Sequence, residues 1–216
     1  MMRTIKTSIL AVLLITVPFP VAAMDEKHWS FKVYLDGKEI GFHNYHLTEV
    51  DGIKRVVTEA DFRVRFLFFT AYEYQHTNTE VWDGECLQAI ESQTDVNGEK
   101  YTVDGRRAAQ AFELRAGDEQ AEMHGCIKTF AYWDPQFLQA SRLLNAQTGE
   151  LMSVTVEEIG KRELNVQGEA TLASGYRVLA RDVDLQLWYD EHQRWLALQS
   201  ITKDGRLVRY ELTQAG

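Results

Sequence analysis

The groups through which this chain could do chemistry are six histidines, two cysteines and 32 acidic residues. Spacing limits what they can do together. His43 and His46 are the nearest approach to a metal-ligand pair. On a strand, residues three apart point to opposite faces, so these imidazoles do not converge on one ion. Hydrogen-bonded or solvated histidines are expected instead. His76 and Glu80, four apart, share a strand face but lie about 13 Å apart along it, too far to exchange a proton directly. Asp190-Glu191-His192 reads as a charged hairpin tip between Trp188-Tyr189 and Trp195. Glu157-Glu158 and the pair Asp182 and Asp184 read as solvent-facing strand positions. If the chain is an enzyme, His76, His124 and Asp190 are the groups to seek in one cleft. The sequence has no G-x-S-x-G nucleophile elbow, no H-E-x-x-H, no phosphate loop and no dinucleotide fingerprint. No metal and no cofactor is expected, and an enzymatic role is the less favoured reading.

Cys86 and Cys126 allow a single disulfide. Closing a loop of about 40 residues would contribute roughly 4 kcal/mol by the chain-entropy account. Two buried free thiols are the alternative. A redox motif is disfavoured, since C-x-x-C is absent.

The compartment follows from the first 23 residues. Arg3 and Lys6 precede the apolar run Ile9 to Val17, then Pro18 and Pro20, then Val21-Ala22-Ala23. This is the pattern of a secretory signal cut after Ala23. The apolar run is about half the length needed to cross a bilayer. A protein without an anchor, released into a periplasm, is expected, with residues 24–216 as one β-rich domain. Its net charge is more negative than the −9 of the whole chain, because Arg3 and Lys6 leave with the signal. Such acidity excludes a nucleic-acid binder and disfavours anionic headgroups as a docking surface. Hydrophobic content of 45% excludes disorder.

The elements that must position these groups are strands. Asp36-Gly37, Asp51-Gly52, Asp83-Gly84, Asn97-Gly98, Asp104-Gly105 and Asp204-Gly205 are hairpin-turn signals. Apolar residues alternate between them: Trp29, Phe31, Val33 and Leu35; Phe62, Val64, Phe66 and Phe68; Val183, Leu185, Leu187 and Tyr189; Val208, Tyr210 and Leu212. A period of two means strands with one buried face. Tyr72, Tyr74 and His76 alternate with Glu73 and Gln75. Residues 104–126 are rich in Ala, Gly and charge and read as ragged strands or a loop. Asp134 as N-cap and Pro135 in the first turn, followed by Phe137, Leu138, Leu143 and Leu144, predict a helix over about 135–145. The fold class is therefore mainly β: a curved antiparallel meander, a half-barrel or open barrel, around one short α-helix. A sheet curled in this way leaves room for an apolar cleft. The candidate lining is Phe66, Phe68, Tyr72, Tyr74, Trp82, Trp133 and Trp188. Plain core packing of the same aromatics is the alternative.

The succession Tyr34-Leu35-Asp36-Gly37-Lys38-Glu39-Ile40-Gly41, Phe62 to Phe66, Tyr72 to His76, Glu80 to Gly84, Leu143-Leu144 with Thr148-Gly149, Leu187 to Asp190, Arg194-Trp195 and Asp204-Gly205 resembles a family of exported bacterial proteins of unknown function. That family is similar in turn to domains with the lipoprotein-carrier (LolA-like) half-barrel. The resemblance spans nearly all of residues 24–216. It implies a curved sheet around a short helix and binding of a lipid or acyl chain; it implies no catalytic residue and lends no support to a disulfide. The function expected is a periplasmic binding or carrier module for a hydrophobic, lipid-like ligand. The alternatives are an envelope enzyme acting on a lipid-like substrate and a non-catalytic partner subunit of an envelope assembly. The sequence leaves the oligomeric state open.

Overall fold

The computed structural model describes residues 25–66 and 69–215. The expected signal and its cut lie outside the described residues. The first arm of strands is β1 (Asp25–Leu35), β2 (Lys38–Val50), β3 (Ile53–Phe66), β4 (Phe69–Asp83), β5 (Cys86–Val96), β6 (Glu99–Arg107), β7 (Phe112–Ala116) and β8 (Glu119–Met123). A short hairpin of β9 (Arg142–Leu144) and β10 (Leu151–Ser153) follows. The second arm is β11 (Thr155–Val166), β12 (Glu169–Ala180), β13 (Val183–Tyr189), β14 (Trp195–Ile201) and β15 (Leu207–Ala215). Thirteen of these form one antiparallel sheet in the order β11-β12-β13-β14-β15-β1-β2-β3-β4-β5-β6-β7-β8, with β9 and β10 apart. Among the described residues β8 and β11 do not pair, so the sheet stays open, as a half-barrel does.

The turns follow the sequence where a positive φ is needed. Asp36, Asp51 and Asn97 adopt left-handed φ of 49°, 51° and 55°, each followed by glycine. Asp104-Gly105 is different, because both residues lie inside β6. A side chain on Gly105 would come within 2.5 Å of the Phe112 ring. The glycine there makes room for packing and turns nothing.

Inward-facing residues of both arms make one core, with Phe31, Val33, Leu87, Phe112, Leu187 and Trp195 almost wholly buried. Core contact between β4 and β13 requires strong curvature. Six strand steps separate them, which would be roughly 29 Å in a flat sheet, yet Tyr74 and Leu185 line one cavity.

Residues 124–154 cross the hollow of the curled sheet as a strap. The helix expected over 135–145 is here a single 3-10 turn, Pro135–Gln139. The start is as expected: the Asp134 side chain accepts a hydrogen bond from the Gln136 N–H, with Pro135 in the first turn. The turn then stops, because Ala140 is extended, at φ −78° and ψ 142°. Leu143 and Leu144 pair with Met152 and Leu151, and the Leu144 N–H bonds to the Lys128 carbonyl. A strand covered on both faces buries two adjacent leucines as fully as a helix can, so the apolar spacing did not discriminate. The 104–126 stretch holds the end of β6, the short strands β7 and β8 and the turns beside them.

Candidate functional site

The hollow face of the first arm changes character halfway along its strands. Antiparallel register sets the polar side chains in rows. His43 (β2), Ala60 (β3), His76 (β4) and Thr94 (β5) are successive partners. The next row is Tyr45, Thr58, Asn78 and Ser92. Val56, Glu80 and Ile90 make the third. His43, Thr58, His76, Asn78, Glu80, Ser92 and Thr94 are all buried. Ala60 supplies the smallest side chain in its row and leaves space between the two imidazoles.

The strap roofs this polar floor and leaves a cavity of about 230 Å³. Phe130, Tyr132, Trp133 and Ala146 of the strap, Tyr74 of β4, and Val183 and Leu185 of β13 supply its apolar walls. Several bonds hold the strap in place. Cys86 and Cys126 are joined by a disulfide, with Cα atoms 5.0 Å apart. The Leu87 N–H donates to the Ile127 carbonyl at 2.9 Å. Ser92 Oγ donates to the Ala146 carbonyl. On the far side, Tyr189 Oη donates to the Tyr132 carbonyl at 2.8 Å.

Within the cavity the polar groups are paired unequally. Glu80 accepts from Asn78 Nδ2 and from Trp82 Nε1, each at 3.0 Å. Burial raises its carboxyl pKa, against hydrogen bonds from Asn78, Thr129 and Trp82 that lower it. His76 Nδ1 meets Thr94 Oγ1 at 2.8 Å. His43 Nδ1 meets Tyr210 Oη at 3.1 Å, and its ring stacks on Tyr45 with centroids 4.5 Å apart. Burial pushes His43 down to about 3, with His76 adding a smaller repulsion, and burial brings His76 to about 4. Among the described residues two buried side-chain atoms have no hydrogen-bond partner, His43 Nε2 and Asn78 Oδ1, and both residues line this cavity. Imidazoles neutral at pH 7 and so depressed are poor proton acceptors, whereas unpaired buried acceptors and donors suit ligand capture.

Of the expected lining residues, Tyr74 and Trp133 face the cavity. Trp82 is buried beside them, edge-on to Trp133 at 5.7 Å. Tyr72 is exposed and stands outside it. Trp188 is a correction: it lies on the other face of the sheet, packed with Ala173 and Leu196 and capped by the Arg162 guanidinium at 3.6 Å. Its neighbours Leu187 and Tyr189 point into the hollow, so the strand's alternation turns Trp188 away. Phe66 ends β3, but its side chain, like the whole of Phe68, lies outside the described residues. His76, His124 and Asp190 do not converge. His76 lines the cavity. His124 is exposed, with Nδ1 3.3 Å from the Gln110 carbonyl. Asp190 organises its turn by accepting from the His192 and Arg194 N–H groups and from Arg194 Nε. His46 faces away from His43 and meets Glu26 at the surface. Among the polar residues that the sequence reading missed are His43 as a lining group, Asn78 and Thr58 on the sheet and Thr129, Asn145 and Gln147 on the strap. For Asn78 the signal is parity: counting back by twos from Trp82 places Glu80, Asn78 and His76 inward, whereas His43 and Thr58 join them through register.

A larger depression of about 580 Å³ lies on the outer face beneath the β11–β12 tip. Arg209 and Glu211 are paired there and Arg162 is stacked on Trp188. Among the described residues no cluster of three or more His, Cys, Asp or Glu side chains could hold a metal ion. No described helix is long and apolar enough to cross a membrane.

Comparison with known proteins places the fold and the family. The crystal structure of a beta-barrel-like protein of Domain of Unknown Function DUF1849 from Brucella abortus superposes with a TM-score of 0.67 at 10% identity, covering 91% of this chain and 99% of that one. At that identity the likeness shows the fold alone. No curated protein matches the chain. Over residues 31–213 the sequence fits the family described as Domain of unknown function (DUF6134), and the chain belongs to that family.

Proposed function

We propose that this protein is a periplasmic binding or carrier module that holds a hydrophobic, lipid-like ligand in the hollow of its sheet, in the manner expected of a lipoprotein-carrier half-barrel. The observation that carries the reading is the roofed cavity, with aromatic and aliphatic walls and, among its floor residues, His43 and Asn78, each holding a buried unpaired polar atom. Concave sites of this composition are where small ligands bind. At about 230 Å³ the space is below the usual range for drug-sized ligands. It therefore takes a head group and a short apolar stretch, and a longer chain extends past the strap. The signal-like first 23 residues support delivery to the periplasm.

The test is displacement of a fluorescent, uncharged acyl-chain analogue from the purified protein, together with native mass spectrometry for co-purified lipid. Saturable, one-site displacement is expected. A protein with native near-ultraviolet dichroism and no saturable binding would overturn the reading.

A further inference from the structure

Resting on that binding reading, we infer that His43 Nε2 and Asn78 Oδ1 form a two-point subsite for an uncharged, hydroxyl- or amide-bearing head group, and that the cavity rejects anionic heads. Both side chains are more than nine-tenths buried, both line the cavity, and these are the buried side-chain atoms left without a partner among the described residues. Leaving such groups unpaired costs roughly 1–3 kcal/mol each, so a ligand that satisfies them recovers that cost.

The orientation of Asn78 is fixed by its own bond. Nδ2 donates to Glu80 Oε1, so Oδ1 is left as an acceptor; like His43 Nε2 it has almost no accessible surface, so a ligand's O–H or N–H reaches it only as the lining gives way. His43 spends Nδ1 on the Tyr210 hydroxyl, which leaves Nε2 for the ligand. If the Tyr210 hydroxyl donates, Nε2 carries the proton and donates; if Nδ1 donates, Nε2 accepts. A hydroxyl suits either tautomer, since it donates and accepts.

The lining also decides the charge. No lysine or arginine is among the described residues around the cavity. A carboxylate or phosphate would meet the Asn78 acceptor, the Glu80 carboxyl behind it and imidazoles that burial keeps neutral. An anion would lose its hydration without gaining a cation. An ammonium would likewise be desolvated, and both Glu80 oxygens are already engaged by Asn78 and Trp82. A site built to hydrogen-bond one polar group discriminates strongly against analogues that cannot complete the pattern.

The experiment compares three probes of equal chain length on the purified protein by calorimetry: monooctanoylglycerol, octanoate and octylamine. Monooctanoylglycerol is expected to bind about tenfold or more tightly than either charged probe. Asn78→Leu should lower its affinity towards that of octanoate. Because Asn78→Leu also removes a donor from Glu80 and could impair folding, a second measurement uses the unaltered protein. The ¹⁵N signal of His43 Nε2, assigned with His43→Gln, should move on titration with monooctanoylglycerol and stay still with octanoate. Octanoate or octylamine binding as tightly as the glyceride, or glyceride binding with the His43 signal unmoved, overturns the subsite and leaves the binding reading standing. Binding by none of the three overturns both.

Discussion

At the residue scale the polar floor makes a statement about pH. His43 and His76 have folded-state pKa values near 3 and near 4, both below the usual 6.5. The unfolded chain therefore takes up protons that the native state refuses. Their contribution is intact above about pH 7 and is lost as pH falls through 6.5 towards the folded values. At pH 5.5 each should have lost about 1.4 kcal/mol, the cost of protonating one more unit below the ordinary value. Glu80 works in the opposite sense, because a raised carboxyl pKa favours the native state as pH falls. Urea midpoints at pH 7.5, 6.5 and 5.5 should show a falling stability whose slope is shallower in His76→Gln. Equal slopes in the two proteins would show that His76 is protonated when folded. Gly41 is the other residue whose role is steep. It sits at φ +152°, where an added Cβ would lie 1.8 Å from the Asp61 carbonyl oxygen. No rotamer relieves a clash with backbone. Gly41→Ala should cost more than about 3 kcal/mol in chemical denaturation, at the upper end of single-residue effects.

At the element scale the strap is the informative piece, and the sequence showed only the start of one turn within it. Asp134-Pro135 marked the start of a helical turn, because capping chemistry is local and leaves a motif. The rest of 124–154 has no period, since it is held by single bonds to different strands: Leu87 to Ile127, Ser92 to Ala146, Tyr189 to Tyr132. Such contacts join residues tens of positions apart and leave no pattern in a linear reading. The strands were legible because each alternates independently of its neighbours. The cavity was half legible. The parity of β4 was readable from Trp82 back to His76, whereas Tyr45, Thr58 and Leu185 join the lining only through register and curl. Trp188 was placed with the ligand residues for its aromaticity, although the alternation of β13 already turned it outward. The disulfide pins one end of the strap to β5. With a sequence separation of 40 residues, opening it should cost about 4 kcal/mol. Denatured, unreduced protein should show no free thiol, and Cys86→Ser with Cys126→Ser should lower stability by that order while the sheet's far-ultraviolet dichroism persists. Loss of the sheet signal itself would show that the bridge supports more than the strap.

At the scale of the whole molecule the open sheet has two edges, β8 and β11. The long one, β11, carries Glu157, Glu158, Lys161, Arg162 and Glu163 within twelve residues. Charge of both signs along an edge discourages further strands from adding to it. The charge of the whole chain, −9, works in the same direction.

The seam lies elsewhere. β15 is no edge strand: it runs between β14 and β1, with Trp29 opposite Ala215 and Leu35 opposite Val208. β1 leaves the ribosome before any other described strand, yet one of its two flanks waits until fourteen later strands have followed it out. Each arm can zip by neighbouring hairpins, but the two halves join only through this pairing of the most distant segments. Closing so large a loop is slow by its topology, and until it happens one hydrogen-bonding edge of β1 stays unpaired. The period of greatest risk for this protein is therefore during its synthesis and folding, before β15 has closed that side of β1.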